Sequence, residues 1–176
     1  MDLFLGPDLA GGPAFFDDVR VLDANLLSNA GFEIPAPTGQ DDAAPGWRFQ
    51  AGGARVITAP ANVRSGTRAV ALDGIATDYR QVTQEIRDIV GGARYRVSAW
   101  LKTEGLGANF EPRIFARFAG GPEQVVAETM SEGRYGYVSR EFTAPPSVPR
   151  LTVGLHLKKG AVGSAYFDDL LVEPLD

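Results

Sequence analysis

Ala165-Tyr166-Phe167-Asp168-Asp169-Leu170, near the end of the chain, joins an aromatic pair, an acidic pair and an aliphatic residue in the manner of a closing β-strand. The same pattern occurs earlier as Ala14-Phe15-Phe16-Asp17-Asp18-Val19, and a new opening segment, Asn25 to Glu33, follows it. One β-domain over residues 23–176 therefore lies between two copies of its own last strand. Residues 1–22 form an N-terminal arm that contains the first copy.

The composition of the 176-residue chain fits one domain and an arm, without cysteine for disulfides or thiolate metal sites. The 17 basic and 22 acidic residues argue against non-specific binding of nucleic acid. No apolar run approaches the ~20 residues of a membrane span, so we expect no membrane insertion. Met1 to Leu5 lacks the basic and apolar stretches of a secretory signal. We therefore expect a protein that is cytoplasmic before assembly and reaches a particle surface or the extracellular space by another route.

Most of the chain alternates between apolar and polar residues with a period of two, which is typical of half-buried β-strands. Such segments recur about every ten residues and are separated by turns rich in Gly and Pro. Trp47, at the start of one segment, is predicted to lie in the core. The pattern predicts an all-β protein: an antiparallel β-sandwich of the jelly-roll type with about eight to ten strands. The clearest apolar positions are Tyr95, Val97, Ala99 and Leu101 in one segment and Leu151, Val153, Leu155 and Leu157 in another.

Six motifs follow one another in a recognisable order: Asn25 to Glu33, Gly46-Trp47, Ser65 to Leu72, Gln81 to Gln84, Gly92 to Lys102, and Tyr166 to Asp169. In this order they resemble the jelly-roll carbohydrate-binding modules of the four/nine type, which are found beside bacterial glycoside hydrolases. The resemblance covers Asn25 to Val172 and implies a galactose-binding-like sandwich that binds a polysaccharide or a cell-surface glycan. The same jelly roll also occurs as a packing domain in surface and virion proteins. The alternative is therefore a structural or adaptor domain without sugar affinity.

The resemblance implies a structural calcium ion where the opening segment meets the closing strand. The matching positions are Glu33 and Asp168 or Asp169, and Ser65 to Arg68 would add carbonyl oxygens. Calcium prefers such hard oxygen ligands. Strand alternation places Asp168 on the face of Leu170, so its carboxylate is predicted to point inward and to be the better ligand. The alternative is that Asp168 caps a bulge or accepts hydrogen bonds from turn amides.

The strand face opposite the apolar positions combines aromatic rings with long polar side chains, which is the composition of a glycan groove. A pyranose stacks its apolar face on a ring, and its hydroxyls meet Arg, Gln or Thr. Basic residues would favour an acidic polysaccharide. If the strands are neighbours in one sheet, the predicted sugar-binding residues are Trp100, Phe115, Arg117, His156, Tyr79 and Gln81. Two alternatives stay open: Gln84 could line the groove instead of Tyr79 and Gln81, and a loop could cover Trp100.

Nothing in the sequence assembles a catalytic site. His156 is the only histidine, and no Ser-His-Asp arrangement can be built around it. Carboxylates for glycoside hydrolysis exist, but no feature places two of them across a groove. We therefore predict that the protein is not an enzyme, and a lyase or hydrolase is a remote third option. The carboxylates considered are Glu85, Glu104, Glu111 and Glu128.

The arm of residues 1–22 carries an apolar cluster with little reason to stay in water: Leu3, Phe4, Leu5 and Leu9. It is the end of a preceding repeat, a strand added to its own domain, or a strand that pairs with another subunit. The last option predicts a homo- or hetero-oligomer assembled through residues 1–22. Without an export signal or an attached enzyme, the chain is expected to be carried on a phage-like particle or another surface assembly.

Overall fold

A computed structural model describes residues 25–37, 43–50, 52–75 and 77–175. Within these ranges the chain forms ten β-strands and a single 3-10 turn, Pro60–Asn62, so the all-β prediction is confirmed. The arm and its copy of the last strand lie outside the described residues. The strands are β1 (Arg48–Gln50), β2 (Ala54–Ile57), β3 (Ala69–Asp73), β4 (Arg80–Arg87), β5 (Arg94–Glu104), β6 (Arg113–Phe118), β7 (Glu123–Glu128), β8 (Gly136–Thr143), β9 (Arg150–Leu157) and β10 (Ser164–Pro174).

The strands form two five-stranded sheets that pack face to face. Sheet A has the order β1-β4-β9-β6-β7, and sheet B has the order β2-β3-β10-β5-β8. All neighbouring strands are antiparallel. The chain crosses repeatedly from one sheet to the other, as in a jelly roll, and the predicted β-sandwich is confirmed. None of the described residues belongs to a helix that is long and apolar enough to cross a bilayer.

The core lies between the sheets and is built from the alternating apolar positions. On β5 and β9 these positions are almost fully buried, as the period of two predicts. Trp47 is also in the core: its ring centroid lies 5.2 Å from that of Phe32, and its Nε1 donates to the Asn29 carbonyl at 3.0 Å. Full burial of one large apolar side chain stabilises the fold by about 1.5–3 kcal/mol. The alternation therefore determines which face of each strand points away from the core.

The two ends of the domain meet along β10, although the opening segment is not a strand. Leu26 N donates to the Val172 carbonyl at 2.8 Å, and the Asn25 side chain donates to the Leu170 carbonyl at 2.8 Å. Residues 25–34 follow turns instead of a strand, because Asn29 and Phe32 adopt φ angles of 48° and 61°. The opening segment therefore meets the closing strand, as the sequence predicts, without forming a strand itself.

A β-bulge in β10 reverses the predicted direction of Asp168. The pairing with β5 shifts between Asp168 and Leu171, and Asp169 within the bulge has a φ of 48°. Asp168 pairs with Trp100 and shares its outward face, whereas Leu170 returns to the core. The prediction that Asp168 points inward is therefore wrong, because an extra residue breaks the simple alternation.

Candidate functional site

Three neighbouring strands of sheet A turn polar side chains away from the core. In the register of β4, β9 and β6, Gln81 lies opposite His156, and His156 lies opposite Arg113. The next outward positions along these strands continue the same polar surface across the sheet. We call this surface the sheet A groove and define it by Tyr79, Gln81, Thr83, Arg117, Thr152 and His156.

Two adjoining depressions make up the sheet A groove. One has a volume of about 330 Å³ and is lined by Tyr79, Gln81, Arg117, Glu123 and His156. The other has a volume of about 410 Å³, and Arg48, Thr83, Arg117 and Thr152 are among its lining residues. Arg117 lines both depressions, so the two are parts of one elongated surface that crosses the strands.

An aromatic pair stands at one end of the sheet A groove. The rings of Tyr79 and His156 lie 5.6 Å apart at 49°, and Tyr79 is 38% exposed. Burial, together with the positive charge of Arg113, lowers the pKa of His156 below its usual range. The imidazole is therefore neutral at neutral pH and can both donate and accept a hydrogen bond. An exposed ring beside such a group suits a sugar, which has an apolar face and a rim of hydroxyls.

Phe115 forms the floor of the outer face and is not an exposed platform. It points outward from β6 as predicted, yet it is only 1% exposed. It pairs with Gly154 of β9, and a Cβ atom built on Gly154 would lie 2.2 Å from the Phe115 ring. The ring therefore occupies the space that any side chain at position 154 would need. Tyr79 and His156, by contrast, line the first depression of the groove.

Acidic neighbours hold the arginines beside the sheet A groove. Arg117 lies 3.6 Å from Glu123, and Arg113 lies 3.1 Å from Glu128. A guanidinium has five donors, so one carboxylate contact leaves others for ligand hydroxyls. A hydrogen bond from Lys158 lowers the pKa of Glu128, which keeps that carboxyl ionised. The arrangement supplies fixed donors and ionised acceptors.

Gln84 belongs to the core side of β4. It accepts a hydrogen bond from Ser28 N at 2.7 Å and donates to the Ser28 carbonyl at 2.9 Å. Tyr79 and Gln81 line one depression of the groove, and Gln84 is among the residues that line the other, so both alternatives contribute. The sequence reasoning also missed Arg48 and Thr83 as lining residues. Alternation next to the core residue Trp47 could have identified Arg48.

Trp100 lies on the other side of the sandwich. Strand β5 belongs to sheet B, whereas β6 and β9 belong to sheet A, so the expectation that one sheet presents Trp100 with Phe115 and His156 is wrong. The Arg64 guanidinium lies 3.8 Å from the centre of the Trp100 ring, and the Tyr137 ring lies 5.4 Å away. Trp100 is half-buried beneath the loop residue Arg64. This is the alternative in which a loop covers Trp100.

A loop of residues 58–68, the covering loop, packs on the outer face of sheet B. A small apolar cluster that includes Ala71 and Tyr166 lies on this face, with Val63 of the loop packed on it. Lys102 Nζ donates to the Ala61 carbonyl at 2.9 Å and to Asn62 Oδ1 at 2.7 Å. These contacts fix the loop to the sheet, so part of the outer face of sheet B is covered, while Tyr137 on the edge strand β8 stays exposed.

Asp168 anchors the covering loop through backbone amides. The residue is fully buried, and its carboxylate accepts hydrogen bonds from Arg64 N at 2.9 Å, Ser65 N at 3.2 Å and Asp169 N at 2.8 Å. Burial raises its pKa to about 6, although the amide donors oppose this shift. The alternative in which Asp168 binds turn amides is the arrangement observed.

The other predicted metal ligands contact the same loop. Glu33 accepts hydrogen bonds from Thr67 N and Arg68 N, each at 3.0 Å. Asp169 accepts one from Ser65 Oγ at 2.7 Å and forms an ion pair with Arg64. These oxygens are of the kind that calcium prefers, but in this arrangement each carboxylate faces N–H or O–H donors. Within the described ranges, no three acidic or imidazole side chains converge on a metal position.

Comparison with known proteins identifies the fold and no closer relationship. No family model matches the chain, and no curated protein matches it. A family 61 carbohydrate-binding module solved with β-1,4-galactotriose has a TM-score of 0.58 at 22% identity, over 85% of this chain and 98% of that one. A xylan-binding domain from Paenibacillus barcinonensis has a TM-score of 0.61 at 15% identity. The match covers 86% of this chain and 95% of that domain. The resemblance to carbohydrate-binding modules is confirmed for the fold.

A bacteriophage protein shares the same sandwich. The enzymatically active domain of tailspike protein 4 from bacteriophage CBA120 has a TM-score of 0.62 at 14% identity. The match covers 86% of this chain and 22% of the tailspike chain. The fold therefore occurs both in carbohydrate-binding modules and as part of a larger phage protein.

Proposed function

We propose that this chain is a non-catalytic carbohydrate-binding module that holds a polysaccharide or cell-surface glycan in the sheet A groove. The observation that carries the proposal is the exposed Tyr79 ring beside His156, Gln81 and Arg117 on one face. A pyranose ring would stack on Tyr79, and its hydroxyls would pair with the amide and the guanidinium. The galactotriose and xylan ligands of proteins with this fold support the ligand class.

The shape of the sheet A groove favours a chain of several sugars over a single sugar. Its two depressions adjoin at Arg117, so a ligand that crosses the strands would contact both. Polar side chains repeat along this path, from Gln81 and His156 to Thr83 and Thr152. Such a surface provides hydrogen bonds for successive rings, and the depressions are open to solvent instead of enclosed. The interior of a polysaccharide fits this arrangement better than a chain end.

The carboxylates beside the groove support binding without turnover. A glycosidase needs one carboxyl group with a raised pKa to act as general acid. Glu128 has a lowered pKa, and Glu85 forms ion pairs with Arg87 and Arg150. Glu104 lies on sheet B, away from the groove. We expect no release of reducing ends or unsaturated products from a bound polysaccharide, and measurable turnover would overturn this part of the proposal.

A glycan array followed by a matched pair of arginine variants tests the proposal. Arg117→Ala should weaken binding of an array-positive glycan at least about tenfold, or ~1.4 kcal/mol, because it removes donors shared by both depressions. Arg134→Ala removes an exposed arginine that does not line the groove and should leave the affinity unchanged. Equal affinity of both variants would contradict the groove assignment.

The tailspike similarity favours a second candidate function, a structural or adaptor jelly roll of a virion or surface assembly. In that case the outer face of sheet A would contact another protein instead of a glycan. The two candidates are distinguished by the array. Failure to bind any glycan would favour the structural function, whereas binding that depends on Arg117 supports the carbohydrate-binding module.

We also propose that the protein is displayed outside the cell or on a phage-like particle, as an oligomer assembled through residues 1–22. The apolar cluster of the arm and the fold shared with a phage tailspike support this proposal. Light scattering should find a multimer for the full chain and a monomer after deletion of residues 1–22. An unchanged monomer in both cases would reject it.

A structural calcium ion at the covering loop is part of the same proposal. The carboxylate oxygens of Glu33 and Asp169 contact residues 64–68, and the Ser65 hydroxyl lies within this stretch. These residues are at the positions where the resemblance implies calcium ligands. Calcium should raise the melting temperature of the full chain, a chelator should reverse the rise, and Glu33→Gln should abolish it. A melting temperature that responds to neither calcium nor chelator would contradict the calcium proposal.

A further inference from the structure

Arg80 carries a charge that the described part of the protein does not neutralise. It lies at the start of β4, points toward the space between the sheets and is only 4% exposed. Its Nη1 donates to the neighbouring Tyr79 carbonyl at 3.2 Å, while its Nε has no partner. No carboxylate of the described residues forms an ion pair with it. A buried arginine without an ionic partner is costly in water-poor surroundings.

The side chain of Arg80 lines a cleft at the end of the sandwich. The cleft has a volume of about 500 Å³, and Gly53, Gly74, Ile75 and Thr77 are among the residues that line it. A Cβ atom built on Gly53 would lie 2.3 Å from Arg80 Nε. The glycine thus lets the guanidinium pack directly against the backbone of the turn. Arg80 is held in position by backbone packing, without a carboxylate.

Two aspartates also line this cleft, and neither of them neutralises Arg80. Asp73 forms an ion pair with Arg55 at 2.8 Å and accepts a hydrogen bond from Ser164 at 2.7 Å. Asp78 accepts a hydrogen bond from Tyr79 N at 2.8 Å. Asp73 is therefore compensated by Arg55, and Asp78 is exposed to solvent. The buried positive charge of Arg80 remains for an external anion.

We infer that the cleft binds the carboxylate of an acidic sugar, a uronate, through the Arg80 guanidinium. The planar fork of arginine matches a carboxylate in two hydrogen bonds, and the buried position of Arg80 strengthens them. Asp78 and Thr77 supply polar groups for the hydroxyls of the same ring. The half-exposed Ile75 provides an apolar contact, with 38% of its surface accessible.

This inference rests on the proposed function. It adds the class of polysaccharide that the protein would select, which is one that carries uronates. Tyr79 lines the sheet A groove, and the next residue, Arg80, lines the cleft. One glycan can therefore lie in the groove and place a uronate around the end of the sheet. The cleft would then distinguish uronate-bearing polysaccharides from neutral ones.

The test follows the Nε–H signal of Arg80 in the full chain by nitrogen–proton NMR, assigned by its loss in Arg80→Lys. Sodium glucuronate and sodium acetate should shift this signal, whereas glucose and sodium chloride at matched concentrations should not. Glucuronate should also raise the melting temperature of the wild-type protein and not that of Arg80→Met. If Arg80→Met does not fold, the wild-type titration decides alone. No shift with glucuronate, or equal shifts with glucose or chloride, would overturn the inference.

A groove variant separates this inference from the proposed function. Gln81→Ala should weaken binding of neutral oligosaccharides and leave the glucuronate response of Arg80 unchanged. If neutral oligosaccharides bind the groove and glucuronate does not affect Arg80, the cleft assignment alone fails. If no glycan binds the groove and glucuronate still shifts Arg80, the proposed function fails and the carboxylate site stands.

Discussion

The two outer faces of this sandwich start from the same strand alternation and end with opposite properties. On sheet A, Tyr79 and His156 stand beside an open polar groove. On sheet B, an equivalent aromatic pair, Trp100 and Tyr137, lies beside the covering loop, with Arg64 over the Trp100 ring. The strands alone do not decide which face binds a ligand, because a loop from elsewhere in the chain covers one of them.

The covering loop remains on sheet B because buried polar groups hold it there. Lys102 contributes hydrogen bonds from the sheet to the loop, and Asp168 accepts hydrogen bonds from loop amides. Tyr135 donates from its hydroxyl to the Asn62 carbonyl at 2.8 Å. On sheet A, the polar side chains of the described residues pair mainly with neighbouring strands. The difference predicts stability effects on sheet B and binding effects on sheet A.

The largest expected effect is a loss of stability when the covering loop loses its lysine anchor. Lys102→Ala should lower the free energy of unfolding by about 3 kcal/mol, because it leaves two loop oxygens without their donor and Glu104 without its ammonium partner. Urea denaturation measures the change, and Lys159→Ala, at an exposed position, is the control. A loss of under about 0.5 kcal/mol would show that the loop is held by other contacts.

The next effect is expected on the floor of sheet A. Gly154→Ala should lower the free energy of unfolding by about 2 kcal/mol, because the added methyl group would displace the Phe115 ring. Glycan affinity should fall as well, since the ring supports the groove. Gly52→Ala adds its methyl group to open space and serves as the control. Equal stability of the two variants, measured by chemical denaturation, would mean that the Phe115 ring moves without cost.

A matched pair of tyrosines compares the two faces directly. Tyr79→Ala should weaken glycan binding about tenfold, or ~1.4 kcal/mol, because the stacking ring is lost. Tyr137→Ala removes a similarly exposed ring from sheet B and should leave the affinity unchanged. Isothermal titration calorimetry with an array-positive glycan measures both. A greater loss for Tyr137→Ala would move the binding site to sheet B.

The smallest predicted effect is a pH dependence of stability at Asp168. Its folded pKa of about 6 lies above the ordinary 3.8, so the folded state binds the proton more tightly than the unfolded chain. The stability of the wild-type protein relative to Asp168→Asn should therefore rise as the pH falls, by about 1 kcal/mol between about pH 7 and pH 5. Urea denaturation at each pH measures this difference. A constant or falling difference would contradict the raised pKa.

The sequence predicts the direction of a side chain correctly where that direction depends only on neighbouring residues along one strand. Alternation placed Gln81, Arg117 and His156 on outward faces, and the structure agrees because these strands are regular. The sheet to which Trp100 belongs depends on pairing between distant strands, which alternation does not reveal. The direction of Asp168 depends on a bulge, and the pattern of apolar residues continues after it. The Arg80 cleft was missed because a buried arginine at an apolar position has no local signature.

The most direct test of the central claim is a map of the glycan contact surface in the full chain. Amide chemical shifts should be recorded by NMR while an array-positive oligosaccharide is added. We predict that the largest changes fall on Gln81, Arg117 and His156, and that Ser98 and Ser139 on sheet B do not change. Changes centred on Trp100 and Tyr137, with an unaffected sheet A, would contradict the account.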